Sequence, residues 1–337
     1  MDCLFSRITN IHPHPNADKL ELGLVNNWPV VVPKGSFVEN EIGLFICPDA
    51  KLPSNKVWAE PFLNYTGKEN RVQTVKLRGE YSNGIFVKLE DLATEYNIYD
   101  EAQMLDIKPE QVALDLSIGH YSPPVPDDLA VASPELPFNL KKTDEENWEN
   151  IPEHQLQLGE RALVTRKMDG CSATYILTAD GEFYCCGRRF TYKNDCSNRY
   201  TKVGHEIVKP ALEKWVNKYG ETIIIRGEIT GQGVNGSKVN KDSKGPLKFN
   251  LFKAMHPSKD NTIWKWGFYG TQGHFLWCTE VLGLELETVP VLGEMTITKD
   301  LLLQFQQAPK KDGEGVVIEF KDGTHYKAKS MDYYSSI

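Results

Sequence analysis

The sequence shows neither a long apolar stretch nor the pattern of a signal peptide. In its 337 residues, no apolar run approaches the roughly 18–20 residues that a membrane-spanning helix needs. The first ten residues, MDCLFSRITN, contain no basic segment followed by an apolar one, which argues against a signal peptide. We therefore expect a soluble, cytoplasmic protein with no membrane partner.

Paired cysteines are also missing. The chain has seven cysteines, and none of them forms a Cys-x-x-Cys motif, so a structural zinc site has little support. An odd number of cysteines without an export signal predicts reduced thiols rather than disulfides.

Basic charge is not in excess, because the formal net charge is −8. A nucleic-acid partner would have to be held in a local basic groove, since phosphate contacts need Lys and Arg only where the backbone lies. Composition alone favours an enzyme that acts on small molecules, whereas the motifs indicate a different class.

The pattern of short strands and turns predicts an α+β protein with two domains. Residues 1–100 contain six short strand-like runs, which predict a small closed or partly open β-barrel. Residues 101–140 are rich in Pro, Asp and Ser and are predicted to be a linker. Residues 141–337 alternate strands with a few helices, such as the run GHEIVKPALEKWVNKY. The six runs of the first domain are SRITNI, KLELGLV, PVVVPKG, EIGLFICP, RVQTVKLRG and GIFVKL.

Two Asp-Gly pairs in the second domain predict β-hairpins with two-residue turns, because such turns need positive φ angles. For the turn at 322–323, the pairing places Ile318 opposite Lys327 and Val316 opposite Lys329. Glu314 would then share one face with these four side chains, since side chains on a strand repeat every second residue.

The same arithmetic at the 180–181 turn places Arg188 opposite Ala173. Ala173 has the parity of Lys167 and Asp169, so these side chains would share a face unless the Asp169-Gly170 step bends the strand. Taken singly, each of these features has an ordinary explanation. The Lys-x-Asp-Gly stretch could be a chance turn, the glutamate a solvated carboxylate, and the two lysines of the second hairpin the protective lysines of an edge strand. Their joint occurrence in one order is much harder to attribute to chance.

That order resembles the motifs of covalent nucleotidyltransferases, the group of ATP-dependent DNA ligases, RNA ligases and messenger-RNA capping enzymes. The resemblance covers residues 160–330. The stretches that carry it are RKMDG, RGEI, LKFNLF, EGVVIEF and YKAKS.

The resemblance implies a nucleotide site for ATP. Lys167 resembles the nucleophile that forms a lysine–AMP phosphoramide, and Arg188 resembles the arginine that contacts the ribose. Phe252 resembles the aromatic residue that stacks on adenine. Lys327 and Lys329 resemble the lysines that contact the α-phosphate. A lysine must lose its proton before it attacks, and we expect burial and these two cations to lower its pKa.

The resemblance also implies a divalent metal, Mg²⁺ or Mn²⁺. Glu228 resembles the carboxylate that binds the ribose hydroxyl or metal-bound water, and Glu314 resembles the metal-organising carboxylate. Together with Asp169 they form the expected metal set, since a metal would shield the triphosphate and hold the leaving pyrophosphate.

Among the relatives, the arrangement of domains resembles a branch of RNA ligases with an oligonucleotide-binding (OB)-like barrel in front. Lys329 is followed by only eight residues, so we expect no barrel behind the catalytic domain. HPNADKLELGLVNNWPVVVPKG and KKTDEENWEN also resemble that branch. The sequence departs from its pattern at Gly187, Arg189, Trp148 and Glu149.

The branch joins 5′-phosphate and 3′-hydroxyl ends through lysyl-AMP and an adenylylated nucleic acid. We therefore expect a monomeric RNA repair enzyme whose partners are RNA or RNA/DNA ends in a nicked duplex. The alternatives are an RNA-capping guanylyltransferase, a DNA ligase and, from another class, a non-catalytic RNA-binding protein.

Overall fold

A computed structural model describes most of the chain, and the described residues divide between two compact units. The units are Met1–Pro124 and Val125–Ile337. No described helix is both long enough and apolar enough to span a membrane. The described ranges are 2–93, 101–121, 131–133, 135–140, 145–257, 263–266 and 284–336.

The first unit is built on an antiparallel sheet of five strands in the order β3-β2-β1-β4-β8. Apolar residues at alternate positions form its core, as in β3, where Trp28, Val30 and Val32 are buried. Two short paired strands, β6 and β7, precede β8. The strands are β1 (Cys3–Pro13), β2 (Leu20–Val25), β3 (Trp28–Pro33), β4 (Ile42–Ile46), β5 (Ala50–Lys51), β6 (Thr74–Leu77), β7 (Glu80–Asn83) and β8 (Ile85–Lys88).

This sheet curls into a partly open barrel. Every residue of β4 is buried, because separate apolar clusters cover the two faces of the sheet. The edge strand β3 approaches β7, where the Val31 amide donates a 3.0 Å hydrogen bond to the Ser82 hydroxyl. The prediction of a small β-barrel is confirmed, and each of the six predicted runs contains a strand. Strand β7 was not predicted.

Helices occupy part of the range that was predicted as a linker. Met104 and Val112 lie in the apolar core of the first unit, and β9 (Gly119–His120) pairs with β5. The domain boundaries themselves stay a prediction. The helices of this unit are α1 (Leu89–Leu92), α2 (Glu101–Asp106) and α3 (Pro109–Asp115).

The second unit contains two sheets, with the orders β10-β15-β14-β13-β16-β17-β18 and β11-β21-β20-β12-β19 in the described residues. Helix α5 packs on the first sheet through Leu212 and Trp215, and α6 packs on the second through Leu302. The helices are α4 (Arg199–Val203), α5 (Lys209–Tyr219), α6 (Lys299–Gln306) and α7 (Met331–Tyr334). The strands are β10 (Val131–Ser133), β11 (Glu146–Asn147), β12 (Arg161–Lys167), β13 (Cys171–Leu177), β14 (Phe183–Cys186), β15 (Thr191–Tyr192), β16 (Ile223–Thr230), β17 (Lys248–Pro257), β18 (Ile263–Trp266), β19 (Val291–Thr296), β20 (Gly315–Phe320) and β21 (His325–Lys329).

Both predicted hairpins exist, but their predicted pairings are wrong by one residue. In the β20–β21 hairpin the Phe320 amide donates to the Thr324 carbonyl oxygen at 2.8 Å, which leaves a loop of three residues. Gly323 has φ 86°, the left-handed conformation that closes three-residue loops. Gly315 is therefore opposite Lys329, and Val317 is opposite Lys327.

The corrected pairing changes which side chains share a face of the β20–β21 hairpin. Val316 and Ile318 point into the apolar core, whereas Lys327 and Lys329 share the other face with Gly315 and Val317.

The β13–β14 hairpin shows the same one-residue shift, with Thr174 opposite Cys186 and φ 93° at Gly181. The predicted pair of Arg188 with Ala173 does not form, because β14 ends at Cys186.

A substitution at Gly315 tests the observed pairing of β20 with β21. Gly315 has φ 142°, and a Cβ atom there would lie 2.2 Å from the Ala328 carbonyl oxygen. We expect Gly315→Ala to lower the free energy of unfolding by roughly 2 kcal/mol or more, because it adds a backbone clash to the strained φ. The control Gly323→Ala has open space and should cost only about 1 kcal/mol. Urea unfolding followed by tryptophan fluorescence checks this, and equal losses would contradict the pairing.

Candidate active site

The predicted nucleophile lies at the end of a strand that is paired on both sides. Lys167 is the last residue of β12, and its Cα partner on β20 is Gly315. The Lys167 Nζ atom donates to Glu314 Oε1 at 2.5 Å. The lysine side chain is 21% exposed and the glutamate side chain 8%, so this ion pair is largely shielded from water.

The predicted phosphate-binding lysines lie in line with Lys167. Gly315 is opposite both Lys167 and Lys329, so the two lysines flank a residue that has no side chain. Strands are about 4.8 Å apart, which puts the two lysine Cα atoms roughly 10 Å from each other. Lys327 lies one row further away, opposite Val317. The candidate site therefore places Lys329 directly across the sheet from Lys167.

The turn after Lys167 carries the chain from one sheet to the other. Strand β12 ends at Lys167 and β13 begins at Cys171, so the bend predicted at Asp169-Gly170 is present. A Cβ atom at Gly170 would lie 2.2 Å from the Ile229 carbonyl oxygen and 2.8 Å from Glu228 Cγ. Only glycine permits this approach, which brings the turn against the strand that carries Glu228.

Asp169 is held by residues that the sequence analysis missed. Its Oδ1 atom accepts from Asn235 Nδ2 at 3.0 Å, and its backbone carbonyl oxygen accepts from Asn240 Nδ2 at 3.0 Å. Its amide donates to Asp242 Oδ2 at 3.2 Å, and Asp242 also binds Arg166 at 2.7 Å. All three partners lie in the loop between β16 and β17. No spacing signal could have found them, because the loop reads as an ordinary polar turn.

Glu228 lies on the facing sheet, between Ser172 of β13 and Asn250 of β17. Burial raises the pKa of Glu228 to about 8, and the Glu314 charge adds to this while Lys167 opposes it. Glu228 therefore holds its proton more tightly than an exposed glutamate does.

The electrostatics of Lys167 differ from the expectation. Burial lowers the pKa of Lys167, but the neighbouring charges of Glu314 and Glu228 outweigh burial and raise it above its ordinary value. Burial acts to raise the pKa of Glu314, while Lys167 brings it below its ordinary value. The expectation that nearby cations lower the Lys167 pKa is wrong for this arrangement, because the closest charge is a carboxylate.

Phe252 and Arg188 occupy irregular positions in the larger sheet. On β17, Lys253 is opposite Arg226 and Leu251 is opposite Gly227, so Phe252 is the extra residue of a β-bulge. Bulges turn a side chain away from the regular alternation and are common beside active sites. Arg188 is exposed in the turn between β14 and β15.

The sequence departs at Gly187 from the pattern that it otherwise resembles, and this departure has a steric reason. A Cβ atom on Gly187 would lie 2.6 Å from the Tyr192 hydroxyl oxygen. The Gly187 amide donates to the Phe190 carbonyl oxygen at 2.9 Å, which closes the turn that carries Arg188. The close packing of Tyr192 thus requires glycine before the arginine.

The carboxylates fit a metal that is shared with a substrate rather than enclosed by protein. Within the described residues, no group of three or more His, Cys, Asp or Glu side chains is gathered closely enough to hold a metal ion. Glu314 Oε2 is nevertheless buried and has no hydrogen-bond partner in that part of the chain. Mg²⁺ commonly uses one or two carboxylates, several waters and substrate phosphates. Asp169, Glu228 and Glu314 are therefore candidate ligands for such an ion.

Comparison with known families places these residues in context. Residues 160–330 match the model of the RNA ligase family. The chain belongs to this RNA ligase family. Residues 4–89 match an OB-fold domain, in agreement with the curled sheet of the first unit. No curated protein sequence matches the chain.

Solved structures of a Naegleria gruberi RNA ligase are similar to this RNA ligase family member over nearly its whole length. A mutant of that ligase with ATP and Mn matches with a TM-score of 0.76 and 22% identity, covering 97% of this chain and 96% of the other. The same ligase with PPi gives a TM-score of 0.76 and 22% identity, covering 98% and 97%. A mutant with AMP and Mn gives 0.78 and 21%, covering 99% and 98%. At this identity the likeness establishes the fold.

A buried carboxylate of this family member lies close enough to Lys327 and Lys329 to be affected by their charges. Glu149 is only 1% exposed, and its Oε1 atom accepts from Gln306 Nε2 at 2.8 Å. Burial raises the pKa of Glu149 to about 7, against the opposing effects of Gln306 and of the Lys329 and Lys327 charges.

Glu149 predicts a pH-dependent stability. Because its folded pKa lies above its unfolded value, its folded form gains a proton more readily, and stability falls as pH rises from about 4.5 to 7. The full loss above pH 7 is about 3 kcal/mol. We expect Glu149→Gln to lack this part of the pH dependence, as measured by urea unfolding at pH 5 and pH 8. Equal pH dependence in both proteins would contradict the buried carboxylate.

Proposed function

We propose that this protein is an ATP-dependent RNA ligase that works through a lysyl-AMP intermediate on Lys167. The observation that carries the proposal is the position of the Lys167 Nζ atom, 2.5 Å from Glu314 and across Gly315 from Lys329. Membership of the RNA ligase family supports the reaction class. The ATP and Mn, AMP and Mn, and PPi bound in the structural neighbours support the nucleotide and the metal.

The first step is attack of Lys167 Nζ on the α-phosphorus of ATP. A phosphorus–nitrogen bond forms, and the bond to the leaving pyrophosphate breaks. Lys167 starts as a protonated partner of Glu314, so this pair has to separate and the lysine has to lose its proton before attack. Lys329 and Lys327 are placed to balance the charge on the α-phosphate.

The remaining site residues bind and orient the nucleotide. Phe252 on its bulge would stack on adenine, and Arg188 would contact the ribose. Asp169, Glu228 and Glu314 would hold Mg²⁺ or Mn²⁺. Such an ion would neutralise charge on the triphosphate and favour departure of pyrophosphate.

Two further steps complete the ligation. AMP moves from Lys167 to the 5′-phosphate of a nucleic acid, and a 3′-hydroxyl then attacks that end and releases AMP. The proposal includes a monomer in the cytoplasm that acts on RNA or RNA/DNA ends in a nicked duplex, in the service of RNA repair.

The test is covalent labelling with ATP that carries a radioactive α-phosphate, in the presence of Mg²⁺ or Mn²⁺. We expect a labelled protein band with ATP and none with labelled GTP. Lys167→Ala should abolish the label, because it removes the attacking nitrogen. The control Lys214→Ala removes an exposed lysine that pairs with Glu285 at the surface, and it should label like the wild type.

The other outcomes separate the alternatives. Labelling by GTP would indicate a capping guanylyltransferase, and RNA binding without any label would indicate a non-catalytic RNA-binding protein. Sealing of nicked duplexes is then compared between an RNA and a DNA 3′-hydroxyl strand. A preference for the DNA strand would indicate a DNA ligase.

A further inference from the structure

The short helix α7 follows directly after the lysine strand β21 and is fastened to the active site. The Ser330 amide donates to the Glu314 carbonyl oxygen at 3.0 Å, and the Ser330 hydroxyl donates to the Ala308 carbonyl oxygen at 2.6 Å. The same hydroxyl oxygen caps the helix by accepting from the Tyr333 amide at 3.1 Å. The helix therefore begins at a fixed distance from Glu314.

Two consecutive tyrosines of this helix reach the two carboxylates that flank Lys167. Tyr333 is 1% exposed, and its hydroxyl donates to Asp169 Oδ2. Since Asp169 Oδ1 accepts from Asn235, both oxygens of this carboxylate are held in place.

Tyr334 contacts both Glu314 and Lys329. Its hydroxyl donates to Glu314 Oε1, the same atom that accepts from Lys167 Nζ. Its ring lies under Lys329, with Nζ 4.3 Å from the ring centroid, within the range of a cation–π contact. Tyr334 thus shares Glu314 with the nucleophile and also contacts the lysine across the sheet.

Packing alone does not explain this pattern. A buried tyrosine hydroxyl needs a hydrogen-bond acceptor, and a backbone carbonyl satisfies that need elsewhere in this unit, as Leu156 does for Tyr326 and Tyr200 does for Tyr175. Tyr333 and Tyr334 instead both donate to carboxylates of the candidate site. Hydrogen bonds to ionised groups are stronger and more directional than neutral ones.

We propose that Tyr333 and Tyr334 are positioning residues for the self-adenylylation of Lys167, which rests on the proposed function. Tyr333 fixes the orientation of Asp169. Tyr334 fixes Glu314 and competes with Lys167 for its Oε1 atom, so the lysine is less firmly held in the unreactive ion pair. Both hydroxyls donate to carboxylates beside Lys167, so we expect their loss to slow the transfer without weakening ATP binding.

The variants Tyr333→Phe and Tyr334→Phe keep both rings and remove only the hydroxyls. A hydrogen bond to a charged group is worth enough to change a rate by about tenfold to a hundredfold. We expect the maximal rate of lysyl-AMP formation to fall by that factor in each variant, with KM for ATP changed less than about threefold. Rapid-quench labelling of the full chain over a range of ATP concentrations measures both quantities.

A matched control exists within the same unit. The Tyr184 hydroxyl donates to Glu182 Oε2 at 2.6 Å, which is also a tyrosine–carboxylate hydrogen bond but lies at the surface of β14. Tyr184→Phe should leave the rate and KM at their wild-type values. Tyr334 is half-buried, so Tyr334→Phe still decides the question if the variant at the buried Tyr333 does not fold.

Binding of Mn²⁺ alone gives a readout that does not depend on activity. We expect Tyr333→Phe to weaken Mn²⁺ binding, measured by the electron paramagnetic resonance signal of free Mn²⁺, because Asp169 loses its fixed orientation. If both phenylalanine variants kept the wild-type rate and Mn²⁺ affinity, the positioning role would be wrong. If the wild type took no AMP at all, the proposed function would fail, and Mn²⁺ binding would still decide the role of Tyr333.

Discussion

The ion pair between Lys167 and Glu314 organises the second unit. It joins the end of β12 to the residue before β20, and every residue of β20 is paired with β12 behind it. A buried ion pair is not a strong source of stability, because desolvation offsets much of the attraction. Its value here is geometric, since it keeps an amine and a carboxylate together where the two sheets meet. The turn at Asp169-Gly170 and the helix after β21 both converge on that point.

Much of this arrangement was predictable because it is local. The six strand-like runs of the first unit, the two hairpins and the helix that ends near Tyr219 all follow from alternation and turn residues. The order of the motifs also led to the family, which the match over residues 160–330 shows. These features depend on residues that are close in sequence, so their patterns can be read directly.

The errors have a common physical cause. An Asp-Gly pair is compatible with a two-residue turn and with a three-residue loop that ends in glycine, and the sequence does not distinguish them. One residue of difference moved Lys327 and Lys329 to the face opposite Val316 and Ile318. The partners of Asp169 were missed because Asn235, Asn240 and Tyr333 are 66 or more residues away along the chain. The position of Phe252 on a bulge likewise depends on the register of two strands.

The dense bonding of Asp169 has a consequence for truncated proteins. Its two carboxylate oxygens and its backbone amide and carbonyl are bound by side chains from two distant segments, the loop after β16 and helix α7. A chain shortened after Ser330 would keep Lys167, Glu228, Glu314 and every other residue by which the family is identified. It would nevertheless lose the two tyrosine hydroxyls that donate to Asp169 and Glu314. A fragment can therefore retain a complete set of motifs without the scaffold that orients them.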